Sequence, residues 1–210
     1  MIPLSLARIA AITGGELVGV SERRAADLVV DGPVVTDSRE AAAGSLYVAR
    51  IGDALDGHDF VPAAAAAGAV AALVTRPVDG LPCIVVDDDQ RAFVALARHL
   101  IDTAPDLTVI GITGSSGKTS TKDLLADVLR GVGETVAPVG SLNSEVGVPL
   151  TVCRITASTR FLVVEMGARR LGHIRYLTEI APPRSGAVLN GGRAHVGEFG
   201  SRHAIATAKA

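Results

Sequence analysis

A glycine-rich segment of this chain joins a strand pattern directly to a helix pattern, which limits the folds that the chain can adopt. The apolar run of residues 107–113 is followed by Gly114-Ser115-Ser116-Gly117, and Lys118-Thr119 then opens a helical pattern that runs to residue 133. Glycines let backbone N–H groups turn toward phosphate oxygens, and the start of a helix adds partial positive charge. The sequence therefore predicts a P-loop that holds the phosphates of a nucleotide.

Two residues at the start of this helix pattern carry the chemistry expected of a P-loop. Lys118 can reach the outer phosphates, and the Thr119 hydroxyl can hold Mg²⁺. The loop is a shortened variant, because Ile112 stands where the strict pattern has glycine. A glycine-rich turn that binds nothing is the alternative, and the presence of Lys118, Thr119 and both flanking elements argues against it. The predicted nucleotide-binding residues are Gly114, Ser115, Ser116, Gly117, Lys118, Thr119 and Ser120.

Strand and helix patterns alternate along the chain, which predicts an α/β fold with mostly parallel sheets covered by helices on both faces. A short amphipathic helix at the N-terminus is stopped by Gly14-Gly15. Residues 34–39 predict an apolar strand that runs into a polar turn. The other predicted strands are residues 45–50, 71–74, 83–87, 107–113, 134–139, 161–167 and 185–190. The predicted helices are residues 61–69, 90–101, 118–133, 171–180 and 201–210.

The polar segment of residues 102–106, which contains Pro105, is a plausible linker between two domains. We expect a small α/β N-terminal domain over residues 1–103 and a P-loop parallel-sheet domain over residues 104–210. The second domain has only four clear strand patterns, and the helix pattern at its end has no capping signal. We therefore expect the P-loop domain to be incomplete at its C-terminus.

The composition excludes several classes of function. A net charge of −2 gives no strongly basic surface for nucleic acid, and an aromatic content of 3% without tryptophan disfavours stacking on bases. The longest uncharged run, residues 60–74, is too short and too rich in alanine to cross a bilayer, and the N-terminus lacks the pattern of a signal peptide. Cys83 and Cys153 are isolated, which disfavours a zinc site or a disulfide framework. We expect a cytoplasmic protein without nucleic-acid binding or membrane insertion.

Further candidate site residues follow two later strand patterns. Glu165 ends the run of residues 161–165, and His195 follows the run of residues 185–190. Ligands bind at the carboxyl ends of the strands in an open parallel sheet, so Glu165 is a candidate to bind Mg²⁺ directly or through a water molecule, and a solvated glutamate at a strand end is the alternative. An imidazole can also hold a divalent ion, although a lone histidine is more often structural. Residues 143–149, taken alone, indicate only a turn.

Five blocks of the chain resemble the Mur ligases, the ATP-dependent amide-forming enzymes of peptidoglycan synthesis. The blocks lie in the same order as in that family and cover nearly the whole chain. They read TDSREAAAGSLYVARIGDALDGHDFVPAAAAAGA, TGSSGKTSTK, SLNSEVGVPLT, EMGARRLGHI and LNGGRAHVGEFGS. The last four are most similar to the family members that join D-alanyl-D-alanine to a UDP-N-acetylmuramoyl-tripeptide.

The resemblance implies a reaction and a set of residue roles. The UDP-linked tripeptide and the dipeptide D-alanyl-D-alanine would be the small-molecule substrates. ATP with Mg²⁺ would convert the tripeptide to an acyl phosphate. The enzyme would be a monomer. Asn143 matches a substrate-proximal asparagine, whereas Ser144 departs from the usual second asparagine. The remaining matches place Ser38 and Arg39 at the UDP end of the substrate. They place Lys118, His195 and Lys209 among the catalytic residues, with Lys209 carbamylated. They also make Thr119, Glu165 and His195 the ligands of Mg²⁺.

Other functions stay open at this point. A related ligase could add another amino acid, although such relatives usually have Ser-Ser-His after the glutamate where this chain has Met-Gly-Ala. A P-loop kinase or nucleotide switch would need a catalytic base or switch loop that the sequence does not show. A non-catalytic UDP-sugar-binding module is the remaining alternative. In the family a further part of the central domain and a third domain follow this region, so the resemblance implies that these 210 residues alone have little or no activity.

Overall fold

The computed structural model describes residues 1–52, 54–168 and 170–191, and it divides the chain into two compact units, Met1–His99 and Leu100–Ala210. The first is called here the N-terminal unit and the second the C-terminal unit. No helix in the described part of the chain is long and apolar enough to cross a membrane.

The N-terminal unit is built around a mixed five-stranded sheet in the order β2-β7-β6-β5-β4. Strands β4 to β7 are mutually parallel, and β2 is antiparallel to β7. Strands β1 and β3 form a separate antiparallel pair. The strands are β1 (Leu4–Ser5), β2 (Glu16–Val18), β3 (Val29–Val30), β4 (Val34–Val35), β5 (Ser45–Val48), β6 (Ala69–Val74) and β7 (Cys83–Val85). The helices are α1 (Leu6–Thr13), α2 (Glu22–Asp27), α3 (Val61–Ala66) and α4 (Asp89–Asp102), the last three residues of which belong to the C-terminal unit, and 3-10 turns lie at Ser38–Glu40 and Gly57–Phe60.

The C-terminal unit contains a parallel four-stranded sheet in the order β11-β8-β10-β9. Its strands are β8 (Thr108–Thr113), β9 (Thr135–Val136), β10 (Phe161–Glu165) and β11 (Ser185–Val188). Its helices are α5 (Lys118–Arg130), α6 (Gly147–Val152) and α7 (His173–Ile180). The crossover from β8 to β9 runs in the direction opposite to the crossovers through α6 and α7. Because such crossovers are right-handed, α5 covers one face of the sheet and the other two helices cover the opposite face.

The central position of β10 explains its sequence. Leu162, Val163 and Val164 are almost fully buried, because a strand covered on both faces has no solvent side. Val163 belongs to a core cluster with Ile112 of β8 and Ala126 of α5. The strand ends in a buried carboxylate, Glu165, at the same edge of the sheet as the end of β8.

The α/β class and the parallel sheet predicted for the second half of the chain are confirmed, and three local expectations differ. Strand β9 has two residues instead of the predicted 134–139, since Pro138 has no N–H to continue a ladder. Helix α6 begins at Gly147, inside the predicted turn of residues 143–149. The short elements α2, β1, β2 and β3 were not predicted, because two to six residues carry too little periodicity.

Candidate active site

The glycine loop connects the carboxyl end of β8 to the start of α5. Gly117 has a φ of 80°, a left-handed conformation that favours glycine at the N-cap of the helix. No side chain among the described residues caps this helix, so the N–H groups of its first turn remain available to an acceptor. The Lys118 ammonium folds back and donates to the carbonyl oxygen of Gly114 at 2.9 Å. The glycine loop and the start of α5 therefore place backbone N–H donors and the Lys118 ammonium close together.

Glu165 lies beside this helix start and is 1% exposed. Its Oε2 accepts a hydrogen bond from the Thr119 hydroxyl at 2.9 Å. Its Oε1 accepts from Asn143 Nδ2 at 2.7 Å and from the Ser141 hydroxyl at 3.2 Å. These bonds join the P-loop helix, the loop before α6 and the end of β10 in one polar cluster.

A close backbone approach explains why Asn143 reaches Glu165. The Gly167 N–H, two residues beyond the strand, donates to the Asn143 carbonyl at 2.9 Å. A Cβ at Gly167 would lie 2.8 Å from Asn143 Oδ1, so only glycine allows this contact. The Ser144 side chain instead contacts the beginning of α6, where its hydroxyl accepts a hydrogen bond from the Gly147 N–H at 3.2 Å.

The cluster has the chemistry of a partial Mg²⁺ site. The hydrogen-bond donors to the buried Glu165 carboxylate are two hydroxyls and an amide, all of them neutral. Within the described residues, no group of three His, Cys, Asp or Glu side chains could hold a metal ion alone. Mg²⁺, however, is usually bound by one or two carboxylates together with phosphate oxygens and water. Thr119 and Glu165 fit that arrangement.

Two residues at this edge were not singled out as site residues by the sequence analysis. Asn190 follows β11, and its Oδ1 accepts from the Ser115 N–H at 3.1 Å and the Ser116 N–H at 3.2 Å. Lys122, one turn after Thr119, is 1% exposed, and its Nζ donates to the carbonyl oxygens of Pro138 at 2.8 Å and Gly140 at 3.2 Å. Asn190 could be predicted as a site residue from its position at the end of a strand, whereas no feature of the sequence indicates that Lys122 is buried.

The N-terminal unit has a cavity of about 680 Å³, and both predicted UDP-site residues line it. Ser38 is buried at the start of a 3-10 turn, whereas the Arg39 side chain is largely exposed. The Arg39 guanidinium donates to both carboxylate oxygens of Asp37, which lowers the pKa of Asp37 to about 2. The Tyr47 hydroxyl, at the wall of the cavity, donates to the Gly57 carbonyl at 2.9 Å.

The predicted site residues thus fall into two groups in the described structure. Lys118, Thr119, Asn143 and Glu165 surround the end of β8 in the C-terminal unit, together with the rest of the glycine loop. Ser38 and Arg39 share the cavity of the N-terminal unit. His195 and Lys209 lie outside the described residues.

Two models of one enzyme family match the chain. The Mur ligase middle domain matches residues 112–210, and the model described as Mur ligase family, catalytic domain, matches residues 33–99. The chain belongs to the Mur ligase family. Between them, the two matches include the glycine loop, Glu165 and the Ser38–Arg39 turn.

Named relatives of this Mur ligase chain add detail. The UDP-N-acetylmuramoyl-tripeptide–D-alanyl-D-alanine ligase of Mycobacterium leprae is 49% identical over the whole chain, which covers 45% of the relative. A crystal structure of MurF from Acinetobacter baumannii aligns with a TM-score of 0.87 and 33% identity over 99% of this chain and 45% of its own. The MurF ligase of Thermotoga maritima in complex with ADP aligns with a TM-score of 0.75 and 36% identity over 87% of this chain and 43% of its own. The chain therefore spans less than half the length of these relatives.

Proposed function

We propose that this Mur ligase chain serves an ATP-dependent enzyme that joins D-alanyl-D-alanine to a UDP-N-acetylmuramoyl-tripeptide. The observation that carries the proposal is the Thr119–Glu165 hydrogen bond beside an uncapped helix at a P-loop. The 49% identity to a ligase of that name and the ADP complex of a structural neighbour support the choice of reaction and of nucleotide.

The residues of the C-terminal unit have separate roles in this proposal. The loop and first helical turn, Gly114 to Ser120, surround the phosphates of ATP, and the uncapped N–H groups at the start of α5 donate to them. Lys118 exchanges the Gly114 carbonyl for the outer phosphates. Thr119 and Glu165 would hold Mg²⁺, with His195 as a further proposed ligand, and the bound ion would neutralise charge on the phosphates.

The first step of the proposed reaction brings two anions together, which explains why positive charge is needed at the site. A carboxylate is a poor acyl donor, because its leaving group would be oxide. The terminal carboxylate of the tripeptide attacks the γ-phosphorus of ATP and gives an acyl phosphate and ADP. The amine of D-alanyl-D-alanine then attacks the acyl carbon, and phosphate leaves as the amide forms and a proton is lost. Lys118 and the loop amides offset the repulsion between the two anions in the first step.

The cavity of the N-terminal unit is the proposed site for the UDP end of the substrate. Its volume of about 680 Å³ lies in the range of small-molecule pockets, roughly 300–1,000 Å³. Ser38 offers a hydroxyl there, and Arg39 would exchange Asp37 for a diphosphate, which accepts the same planar pair of hydrogen bonds. Lys209 remains a proposed carbamylated catalytic residue.

Separate calorimetric titrations with Mg-ATP and with the UDP-linked tripeptide test the proposal. We expect both ligands to bind, and we expect Lys118→Ala to weaken Mg-ATP binding at least tenfold while leaving the UDP ligand unaffected, since Lys118 would contact only phosphates of ATP. Binding of the UDP ligand alone would instead identify a non-catalytic module, and binding of the nucleotide alone would favour a kinase or switch. The mass of any turnover product distinguishes addition of the dipeptide from addition of another amino acid.

A further inference from the structure

Asn190 contacts the glycine loop through both ends of its side-chain amide. Its Oδ1 accepts from the N–H groups of Ser115 and Ser116, at 3.1 and 3.2 Å. Its Nδ2 donates to the Ser116 carbonyl at 3.1 Å, and its own backbone carbonyl accepts from the Ser115 N–H at 3.1 Å. The Ser116 hydroxyl also donates to Asn190 Oδ1, at 3.5 Å. Five hydrogen bonds therefore join Asn190 to Ser115 and Ser116.

The packing beneath these hydrogen bonds is equally close. The Leu189 N–H donates to the Thr113 carbonyl at 2.9 Å, so the chain after β11 stays paired with the end of β8. A Cβ at Gly114 would lie 3.0 Å from Leu189 Cβ and 3.4 Å from the Asn190 nitrogen. Glycine at position 114 suits this approach, because a Cβ there would require Leu189 to move by a few tenths of an ångström. Leu189 and Asn190 together thus fix where the loop runs.

The contacts of Asn190 can be interpreted in two ways. In one, Asn190 occupies loop amides that a phosphate would otherwise use, and nucleotide must displace it. In the other, it holds the loop in the shape that binds phosphate. The donor bond from Nδ2 to the Ser116 carbonyl favours the second, because an ionised phosphate offers only acceptors and has no equivalent bond to make. The N–H groups at the start of α5 also remain uncapped by described side chains, so a phosphate site persists beside the contact.

We propose that Asn190 is a positioning residue that locks the Ser115–Ser116 peptide and so presents the start of α5 to the phosphates of the nucleotide. The proposal rests on the proposed function, in which this loop binds ATP. It assigns Asn190 no contact with substrate. Its effect passes through the shape of the loop and therefore changes nucleotide affinity.

Two variants separate loop order from phosphate affinity. Asn190→Ala removes both the acceptor and the donor, whereas Asn190→Asp keeps the acceptor for both N–H groups but loses the donor and adds a negative charge. Val188→Ala, an exposed truncation near the end of the same strand, is the matched control. The measurements are calorimetric affinity for Mg-ADP and, in the nucleotide-free protein, NMR hydrogen exchange of the Ser115 and Ser116 amides.

We expect Asn190→Ala to speed exchange at both amides and to weaken Mg-ADP binding about tenfold, the equivalent of one or two lost hydrogen bonds. Asn190→Asp should retain slow exchange yet weaken binding roughly a hundredfold, because it adds a negative charge to the loop that binds the phosphates. Val188→Ala should match the unmodified protein in both measurements.

Other outcomes have definite meanings. Tighter Mg-ADP binding by Asn190→Ala would show that Asn190 competes with phosphate, and unchanged binding and exchange would show that the loop holds its shape without it. Either result would overturn the proposal. If the unmodified protein did not bind Mg-ADP, the proposed function would fail instead, and amide exchange in Asn190→Ala would still decide whether Asn190 orders the loop.

Discussion

Glu165 is a buried charge surrounded by neutral donors. Burying a carboxylate carries a large cost unless hydrogen bonds and an opposite charge compensate for the lost water. Thr119, Ser141 and Asn143 supply the hydrogen bonds. A divalent cation would supply the opposite charge. It would bind the oxygen atoms of Thr119 and Glu165 that are now joined by a hydrogen bond. The cluster thus has a reason to bind Mg²⁺ beyond its resemblance to a family motif.

The variant Glu165→Gln tests that role at the scale of one residue. Glutamine can place its oxygen toward Asn143 and its NH₂ toward the Thr119 hydroxyl, so the hydrogen bonds survive while the charge disappears. We expect the melting temperature to stay within a few degrees. We also expect the enhancement of ADP binding by Mg²⁺, measured by calorimetry with and without the ion, to fall at least tenfold, because a neutral amide is a far weaker Mg²⁺ ligand than a carboxylate.

The exposed Glu16→Gln provides the control for removing one negative charge. It should leave both the melting temperature and the Mg²⁺ effect unchanged. If Glu165→Gln kept the full Mg²⁺ effect, then Glu165 would only be a structural acceptor for Thr119 and Asn143.

Helix α5 organises the whole cluster, because two residues three positions apart lie on the same helical face. Thr119 reaches Glu165, and Lys122 reaches the carbonyl oxygens of Pro138 and Gly140. The chain segment that Lys122 holds leads directly to Ser141 and Asn143. One helix therefore positions both the P-loop start and the loop that supports the carboxylate.

Lys122→Met should reveal the strength of that tether. Methionine keeps most of the apolar stem but removes the ammonium, so the two carbonyl groups lose their donor and the ion pair with Asp123 is lost. We expect the free energy of unfolding to fall by roughly 1–3 kcal/mol, the cost of leaving the buried Pro138 carbonyl without a donor, since Gly140 is exposed and its carbonyl can bond to water. Chemical denaturation followed by circular dichroism measures this difference.

Arg130→Ala on the same helix is the matched comparison. Arg130 pairs with Asp127 at the surface, where both side chains are more than half exposed. Such a pair contributes about 0–1 kcal/mol, so this variant should change stability little. Equal losses in the two variants would mean that the buried position of Lys122 brings no additional stabilisation.

The elements that the sequence predicts best are those whose residues determine their own structure. Strand β8, the glycine loop and helix α5 follow from an apolar run, two glycines and a long helical period. In contrast, the two residues of β9 form a strand only because they pair with β10. Helix α6 begins at Gly147, where a Cβ would lie 2.5 Å from the Leu142 backbone. That requirement comes from the way the loop of residues 142–147 folds back on itself, which the apolar and polar pattern of the segment does not show.

The same distinction explains what was found and missed at the site. Lys118, Thr119 and Glu165 stand at positions where strand ends predict a ligand edge. The burial of Lys122 could not be predicted, because a lysine among polar residues of an amphipathic helix normally faces water. Asn190 differs again, since its position was predictable but its partner, the Ser115–Ser116 peptide, depends on the neighbouring positions of β8 and β11 in the sheet.

At the scale of the whole molecule, carboxylates with lowered pKa values couple stability to pH. Bonds from His58 and Arg76 hold the pKa of Asp56 well below its usual range. The Arg39 guanidinium lowers the pKa of Asp37 to about 2, and hydroxyl groups led by that of Ser158 lower the pKa of Glu134. Asp37 and Asp56 belong to the N-terminal unit and Glu134 to the C-terminal unit, so both units carry this coupling.

Burial of the cysteine thiols makes stability depend on pH in the opposite direction, so that stability is lost at high pH. Desolvation raises the pKa of Cys83, in the N-terminal unit, and raises that of Cys153, in the C-terminal unit, to about 12. A thiol whose folded pKa is raised favours folding below its unfolded value of about 8.5, and this contribution is lost as the pH rises through the folded pKa. Stability should therefore be highest between about pH 5 and 8.

The acid side of that range gives a specific prediction for Asp56. A carboxylate whose folded pKa is lowered stabilises the protein above its unfolded pKa of about 3.9, and the contribution is lost as the pH falls through the folded value. The free energy of unfolding, measured by urea denaturation from pH 7 to pH 2, should therefore decline below about pH 5. Asp56→Asn should be less stable at pH 7 and show a smaller decline, because the amide does not titrate. The exposed Asp27→Asn should keep the steeper pH dependence, and an equally steep decline in Asp56→Asn would show that the Asp56 contacts with His58 and Arg76 do not contribute to acid sensitivity.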